Sequence, residues 1–476
     1  MTAFSDLSHD LVDRIFTYVR DFGTLAALIR TSKTIYEVFE ARPKSIVRAV
    51  AENVIGNCDA LPAATRLVRF QLTLNKYTVE YEGDDADDTD NQRPKDPGPT
   101  EEDALRAPLT RAEANLLEWH GPVVQELEDI FSWRNKDRAS PKSTLTLAES
   151  SRFCSAMYRF WLYCEVHGPP EYWEDDEPQD FSQECANFFK AYMVDDIFDI
   201  ARAADFIADL VAWCDGALGD PALATPPKDW FRCKSSIGPS TVLGDFKKIS
   251  ASQPENAEEG FFWRAYESHM RTLKLGPKVC KERLAKAILT EVVGQHDTCF
   301  RCHAVQGINL YGATTWPLLR GQLCQTKLFA LMPGNLVRNV SENQQFLLST
   351  HWGVFIGSQF DYTKMMDEIM DILDDQEHIW QKDKWYCFQC VEQLMKERLW
   401  RWWRERKVQE GKPVLPNCWY GWNCRTMTHR QQHASRLNHL CKPMRGDGPT
   451  QPQPASGPTA HTLVLLPAPA TDTAGA

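Results

Sequence analysis

Cysteine and histidine crowd two places in this chain at spacings suited to holding a metal ion. Near the C-terminus, Cys418 and Cys424 bracket five residues, His433 and His439 bracket five more, and eight separate the pairs. Two thiolates and two imidazoles on so short a loop give a closed tetrahedral zinc site, and the ion folds a peptide too short to have a core. His429 and Cys441 lie in the same stretch, so the choice of fourth ligand stays open between them and the two histidines. The second place consists of two knuckles, Cys299 with Cys302 and Cys387 with Cys390. A C-x-x-C turn lets both sulfurs face one ion, and four thiolates suit tetrahedral zinc. The second knuckle runs into VEQLMKERLWRWW, which reads as a helix, so a treble-clef-like site is expected. His303 and Cys324 are rival ligands within or beside the long spacer.

The surroundings of the C-terminal cluster suggest what it reads. Trp419, Tyr420 and Trp422 lie between the cysteines and Arg425 follows them. Flat rings beside a guanidinium suit a purine joined to phosphates: the ring stacks for ~1–3 kcal/mol and the arginine takes the anion. Upstream, RLWRWWRERK reads as an amphipathic helix whose Trp400, Trp402 and Trp403 pack on the zinc site, with an extended polyanion platform as the other reading. The net charge is −12, yet from Lys396 to Arg445 twelve Lys or Arg oppose only Glu397, Glu405 and Glu410. One end is a local cation on an anionic body.

Nothing points to catalysis. The chain contains no GxGxxG, P-loop, GxSxG or HExxH motif, so no active site is expected. Fifteen cysteines in 476 residues, without a signal-like start, fit reduced thiols. Cys154, Cys164, Cys185, Cys214, Cys233 and Cys280 are spaced like core fillers. No apolar run approaches the ~20 residues that span a bilayer, so no membrane partner is expected and the nucleus or cytoplasm is the expected location.

The elements that must position these groups are mainly α-helical. Residues 1–50 read as a three-helix unit, 51–81 as a helical extension and 82–109 as an acidic disordered linker or solvated loop. Residues 110–293 read as a helical domain, with Val194, Ile197, Phe198, Ala201 and Ala204 on one repeating face. Residues 294–409 hold the paired knuckles, 410–446 the finger and 447–476 a disordered tail.

Two stretches resemble known families. Leu7 to Phe39 resembles the F-box through Leu7, Leu11, Ile15, Phe16, Val19, Leu25, Leu28, Ser32 and Lys33, with Ser8 in place of the usual proline. That resemblance implies docking to a Skp-type adaptor of a cullin ubiquitin ligase, with Leu7, Leu11, Ile15, Phe16, Leu25 and Leu28 shared between core and partner. The stretch C-W-Y-G-W-N-C-R-T, followed by H-A-S-R-L-N-H-L-C, is similar to the poly(ADP-ribose)-binding zinc finger, PBZ. It implies Cys418, Cys424, His433 and His439 as zinc ligands, and Tyr420 and Arg425, with Trp419 beside them, as the ADP-ribose surface. Leu440 and Cys441 stand where the more typical fingers end in His-Pro. Together these readings lead to the expectation of a substrate-recruiting ligase adaptor, against a nucleic-acid- or protein-binding zinc protein or a helical scaffold with zinc staples.

Overall fold

The structure is a computed structural model; it describes residues 7–80, 97–167, 181–219, 231, 234–250, 261–355, 360–372 and 380–444. Most of the acidic segment, Cys233 and the tail from 447 lie outside the described residues. The protein is mainly helical, and among the described residues β-pairing is confined to isolated bridges. Contacts divide it into two units, Met1–Met332 with Gln345–Trp402, and Pro333–Gln344 with Trp403–Ala476.

The first unit opens with α1 (His9–Thr17), α2 (Phe22–Leu28) and α3 (Lys33–Ala41). Asp21 accepts the Thr24 N–H at 2.6 Å and Ser32 Oγ the Ile35 N–H at 3.2 Å, each closing a helix start that the backbone cannot satisfy alone. These helices bury Val12, Phe16, Leu25, Ile35 and Val38. Phe16 and Leu25 are thus spent on the core and cannot also face a partner, whereas Leu11 is half exposed. Leu7 and Leu28 are partly buried against the same core, and Ile15 is intermediate.

The core does not end there. It continues through α4 (Pro43–Ile55), α5 (Leu61–Glu80), α6 (Glu101–Arg106), α7 (Arg111–Asn135) and α8 (Leu147–His167). α7 begins at a capping box in which Thr110 and Glu113 exchange side-chain bonds to each other's N–H groups. Gly121 lets α7 approach α4, since a Cβ there would stand 2.4 Å from the Val54 carbonyl oxygen. Glu118 accepts the Phe22 N–H at 2.5 Å, so α7 also caps α2. The end of the acidic segment is not a loop: α6 forms because both oxygens of Glu101 take Arg159 at 2.8 Å and Arg69 donates to the Ala104 and Ala107 carbonyls.

α9 (Phe181–Phe188), α10 (Val194–Leu218), α11 (Pro239–Lys248), α12 (Phe261–Thr272) and α13 (Pro277–Lys286) complete the helical body. On α10 the expected face is buried at Ile197, Phe198, Ala201, Ala204, Ile207, Leu210 and Val211 and half-buried at Val194, and burial extends beyond that face to Ile200, Ala203 and Phe206. Cys154, Cys164, Cys185 and Cys214 are buried among these helices and Cys280 is partly exposed. The remaining helices are α14 (Gln325–Ala330), α15 (Val340–Phe355), α16 (Tyr362–Asp371), α17 (Phe388–Gln409) and α18 (Gln431–Arg436). Of the three divisions between the units, one falls at Met332–Pro333 and the other two within α15 and α17.

Candidate metal centres

The first centre belongs to the first unit. The end of α7 holds its near side: Arg138 donates to the Gly307 carbonyl at 3.1 Å, pairs with Asp297, and lies 4.6 Å over the Trp385 ring. The Lys136 carbonyl takes the Val293 N–H at 2.8 Å. So anchored, residues 298–305 close a hairpin by the Thr298–Val305 bridge, and the chain turns over Cys299 and Cys302 with His303 at φ 58°. The second knuckle comes alongside through the Tyr311–Tyr386 bridge, and Cys387 precedes α17, which carries Cys390 in its first turn.

The four sulfurs of Cys299, Cys302, Cys387 and Cys390 lie within 4.8 Å of one another. The expected pattern of a hairpin knuckle facing a helix-start knuckle is therefore present. His303 and Cys324, the rivals, are excluded from it. His303 is exposed, while Cys324 is buried with its Sγ 3.2 Å from Thr326 Oγ1. Cys299 is also the thiol best prepared for ligation. Burial pushes it up, but the backbone N–H groups of Cys302, Cys387 and Arg301 outweigh that and bring it to about 7. The Cys387 N–H donates to its sulfur at 3.2 Å.

The second centre belongs to the second unit. A parallel bridge between Asn417 and Asn438, with Cys418 N–H donating to the Asn438 carbonyl at 2.9 Å, brings the two ends of the finger together. Gly421 allows the closure: its φ is 44°, and a Cβ there would stand 2.2 Å from the Cys441 carbonyl oxygen. Cys418, Cys424, His433 and His439 then fall within 4.8 Å of one another, with His433 Nε2 3.3 Å from Cys424 Sγ. His433 sits on α18.

The choice left open by spacing is resolved here. His429 is exposed, its Nδ1 3.5 Å from Thr428 Oγ1. Cys441 is buried with its thiol near the Cys418 and Asn438 carbonyls at 3.6 and 3.4 Å. His439 is fully buried, and the Leu437 backbone is the one hydrogen-bond partner within reach of its ring. A buried imidazole with an unpaired nitrogen is costly unless a metal takes it. Burial, with His433 adding to it, lowers His439 to about 4, which keeps the ring in the neutral form that ligates. Both groups fit a metal ion in donor type, spacing and closure.

Sequence reasoning missed the other half of the second unit. Gly334, at φ 58°, lies against Trp422 and Asn423; Asn335 Nδ2 donates to the Asn423 carbonyl at 3.0 Å, and Asn339 Nδ2 lies 3.5 Å from Met427 Sδ. Glu342 accepts Trp403 Nε1 at 3.0 Å and Lys407 Nζ at 2.7 Å. Residues 333–344 are part of the finger's module, not of the knuckle domain between 294 and 409 in which spacing had placed them. The one local sign was the Pro-Gly-Asn turn signal at 333–335.

The surrounding aromatics fall into a buried and an exposed set, with Trp422 half-buried against Gly334. Trp400, Trp402 and Trp403 are buried, with Trp402 Nε1 donating to Glu368 at 2.7 Å, so these rings are packing residues and do not form an exposed platform. Trp419 and Tyr420 are 59% and 49% exposed, and Arg425 is exposed. No helix among the described residues is long and apolar enough to cross a membrane. No family model, curated protein or solved structure matches this chain.

Proposed function

We propose that both centres hold zinc and that the chain is a non-enzymatic recognition subunit of a cullin-type ubiquitin ligase, working in the nucleus or cytoplasm. In this reading the first helices dock on a Skp-type adaptor and the C-terminal finger reads ADP-ribose polymer on the target. Zinc is the choice because four thiolates, or two thiolates and two imidazoles, in a closed tetrahedral set leave no open position for chemistry on a substrate. The metal's role is then structural: it supplies the folding energy of the finger, and ligand recognition falls to the side chains around it.

The observation that carries the polymer reading is Trp419 and Tyr420 standing exposed on a finger whose Arg425 is also exposed, with no Asp or Glu from 411 to 444. Two rings can stack on adenine while the guanidinium takes a phosphate, and no local carboxylate competes for it. At the other end, the half-exposed Leu11 and the exposed Tyr18 and Tyr36 leave apolar surface on α1 and α3 for an adaptor, although Phe16 and Leu25 are no longer available to it.

The test uses the full zinc-loaded chain, because residues 333–344 belong to the finger's module. Binding of defined-length ADP-ribose polymer is expected, falling about tenfold or more in Tyr420→Ala and Arg425→Ala. A loaded chain that binds no polymer ends the ligand claim, and equal affinity for RNA of matched charge reassigns the finger to nucleic acid. Co-purification with a Skp-type adaptor, lost on Leu11→Asp, is the matching expectation for the first helices.

A further inference from the structure

The two centres differ in what solvent can reach. Among the described cysteines only Cys58 and Cys302 are exposed. Cys58 lies outside both groups of donors, its Sγ 3.8 Å from Asp59 Oδ1, whereas Cys302 is one of the four converging thiols of the first centre. Its companions Cys299, Cys387 and Cys390 are buried, and the Cys299 sulfur accepts the Cys387 N–H at 3.2 Å. In the second centre both thiols, Cys418 and Cys424, are buried, and the one donor partly open to solvent is the imidazole of His433.

A small oxidant acts on the thiolate it can reach, and a second thiolate close by turns the first product into a disulfide. Both conditions meet at Cys302 and Cys387, whose sulfurs lie 3.6 Å apart. A disulfide needs about 2.05 Å, so the exposed Cys302 side chain has only a short gap to close. Cys302 sits in the 298–305 hairpin and Cys387 just before α17, so a bond between them ties together the same two segments that an ion held by the four thiolates ties.

We propose that Cys302 is an oxidative modification site: hydrogen peroxide oxidises it, Cys387 closes a disulfide on it, and the first centre gives up its ion while the new bond holds the two knuckles. The inference rests on the reading that the first centre holds a metal. In the first step the Cys302 sulfur bonds to one peroxide oxygen, the O–O bond breaks, and the other oxygen leaves as hydroxide and takes a proton to become water, which leaves a sulfenic acid. The Cys387 sulfur then attacks that of Cys302: the S–S bond forms, the S–O bond breaks, and a second hydroxide leaves and is protonated. Two thiolates have lost two electrons, and one peroxide with two protons has become two waters. Cys299 and Cys390 are left as half of a tetrahedral set and release the ion. The finger, whose described thiols are all buried, keeps its own.

The test treats the reduced, metal-loaded full chain with hydrogen peroxide. Ion release is followed with a chromogenic chelator, and disulfides are mapped by mass spectrometry of unreduced peptides. The expected result is loss of one ion per chain together with a Cys302–Cys387 disulfide, both reversed by a thiol reductant and added metal. Cys302→His keeps four donors, since three thiolates and one imidazole also suit zinc, and the exposed position has room for the ring. It should carry the wild-type metal content and release its ion about tenfold more slowly or less. Cys58→Ser should behave as wild type, and Cys424→Ser, which lacks the finger's ion, should still release one. Release from Cys302→His at the wild-type rate overturns the proposal, and so does a disulfide within either knuckle in place of the one between them. Should Cys302→His come without its ion, the disulfide mapped in the wild type decides. A Cys424→Ser chain isolated with no ion ends the metal reading of the first centre and this inference together, whereas a loaded first centre that keeps its ion under peroxide ends this inference alone.

Discussion

At the scale of single residues, the finger separates ligands from bystanders that look the same in the sequence. Cys441 and Cys424 are both buried cysteines in one short stretch, yet only Cys424 faces the other donors. Cys441→Ser is expected to leave the metal content unchanged, whereas Cys424→Ser or His439→Ala should remove one ion per chain, as read by elemental analysis of the purified protein. Equal loss in all three would break the ligand assignment. Gly421 gives a second residue-scale expectation. A methyl at 2.2 Å from a carbonyl oxygen, on a backbone at positive φ, must displace the Cys441 backbone. Gly421→Ala should therefore cost the finger on the order of 1–3 kcal/mol and weaken its hold on a metal ion, measured by competition with a chromogenic chelator; retention equal to wild type would contradict this account. Gly421, directly after Tyr420, is there for backbone clearance.

At the scale of elements, what places the first centre is the end of α7, many residues away in sequence. Arg138 ties the hairpin by a carbonyl bond, an ion pair and a ring contact, with its side chain only 7% exposed. Ile288 holds a left-handed backbone, φ 67°, rare for a β-branched residue; Asp199 accepts its N–H at 2.7 Å and Arg152 donates to its carbonyl. These contacts route the chain from the helical body toward the knuckles. Arg138→Ala is expected to lower stability by about 2 kcal/mol, the scale of hydrogen bonds made by a charged group. It should also speed amide exchange across residues 298–305 relative to the helical core; unchanged exchange there would show that the hairpin holds itself. Helix periodicity revealed α10 in advance, because one apolar face in every turn is a local signal. The Arg138 clamp had no such signal, since an arginine after a helix is ordinarily a solvated residue.

At the scale of the whole molecule, buried titratable groups make stability depend on pH. His120 is fully buried between the Trp119 and Trp161 rings, with no hydrogen bond to either nitrogen, and burial lowers it to about 4. Above pH 6.5 the ring is neutral folded or unfolded and costs nothing. As pH falls from 6.5 toward 4 the unfolded chain takes the proton first, and the folded state loses up to about 3 kcal/mol. Glu149 acts in the same direction at lower pH: burial raises it, but Lys136, Thr290 and Thr146 outweigh that and hold it well below the usual range. Its stabilisation is present above about 4.5 and is lost below. Asp199 opposes them, since burial raises it to about 6, so the folded state takes a proton first between 6 and 3.8 and gains on acidification. In urea unfolding at a series of pH values, His120→Phe should flatten the wild-type decline between pH 6.5 and 4. Metal loss on acidification is common to both proteins, so parallel profiles would mean that His120 does not titrate as burial requires.

The sequence by itself determined the donors, the charge asymmetry and the helical class, because ligand spacing, net charge and apolar periodicity are local and additive. It also marked Cys418, Cys424, His433 and His439 before any fold was known. Three matters were decided only by tertiary structure. Phe16 and Leu25 were given to the core, because α1 to α3 share one apolar interior with α4 to α8. Residues 333–344 were given to the finger's module, because a peptide of some thirty residues closed on one ion leaves polar backbone groups, such as the Asn423 carbonyl, that a distant asparagine satisfies. And the spare donors His429 and Cys441 were turned away from the four converging donors, because the bridge at Asn417 and Asn438 fixes which side chains converge, and convergence in space is a property no spacing along the chain contains.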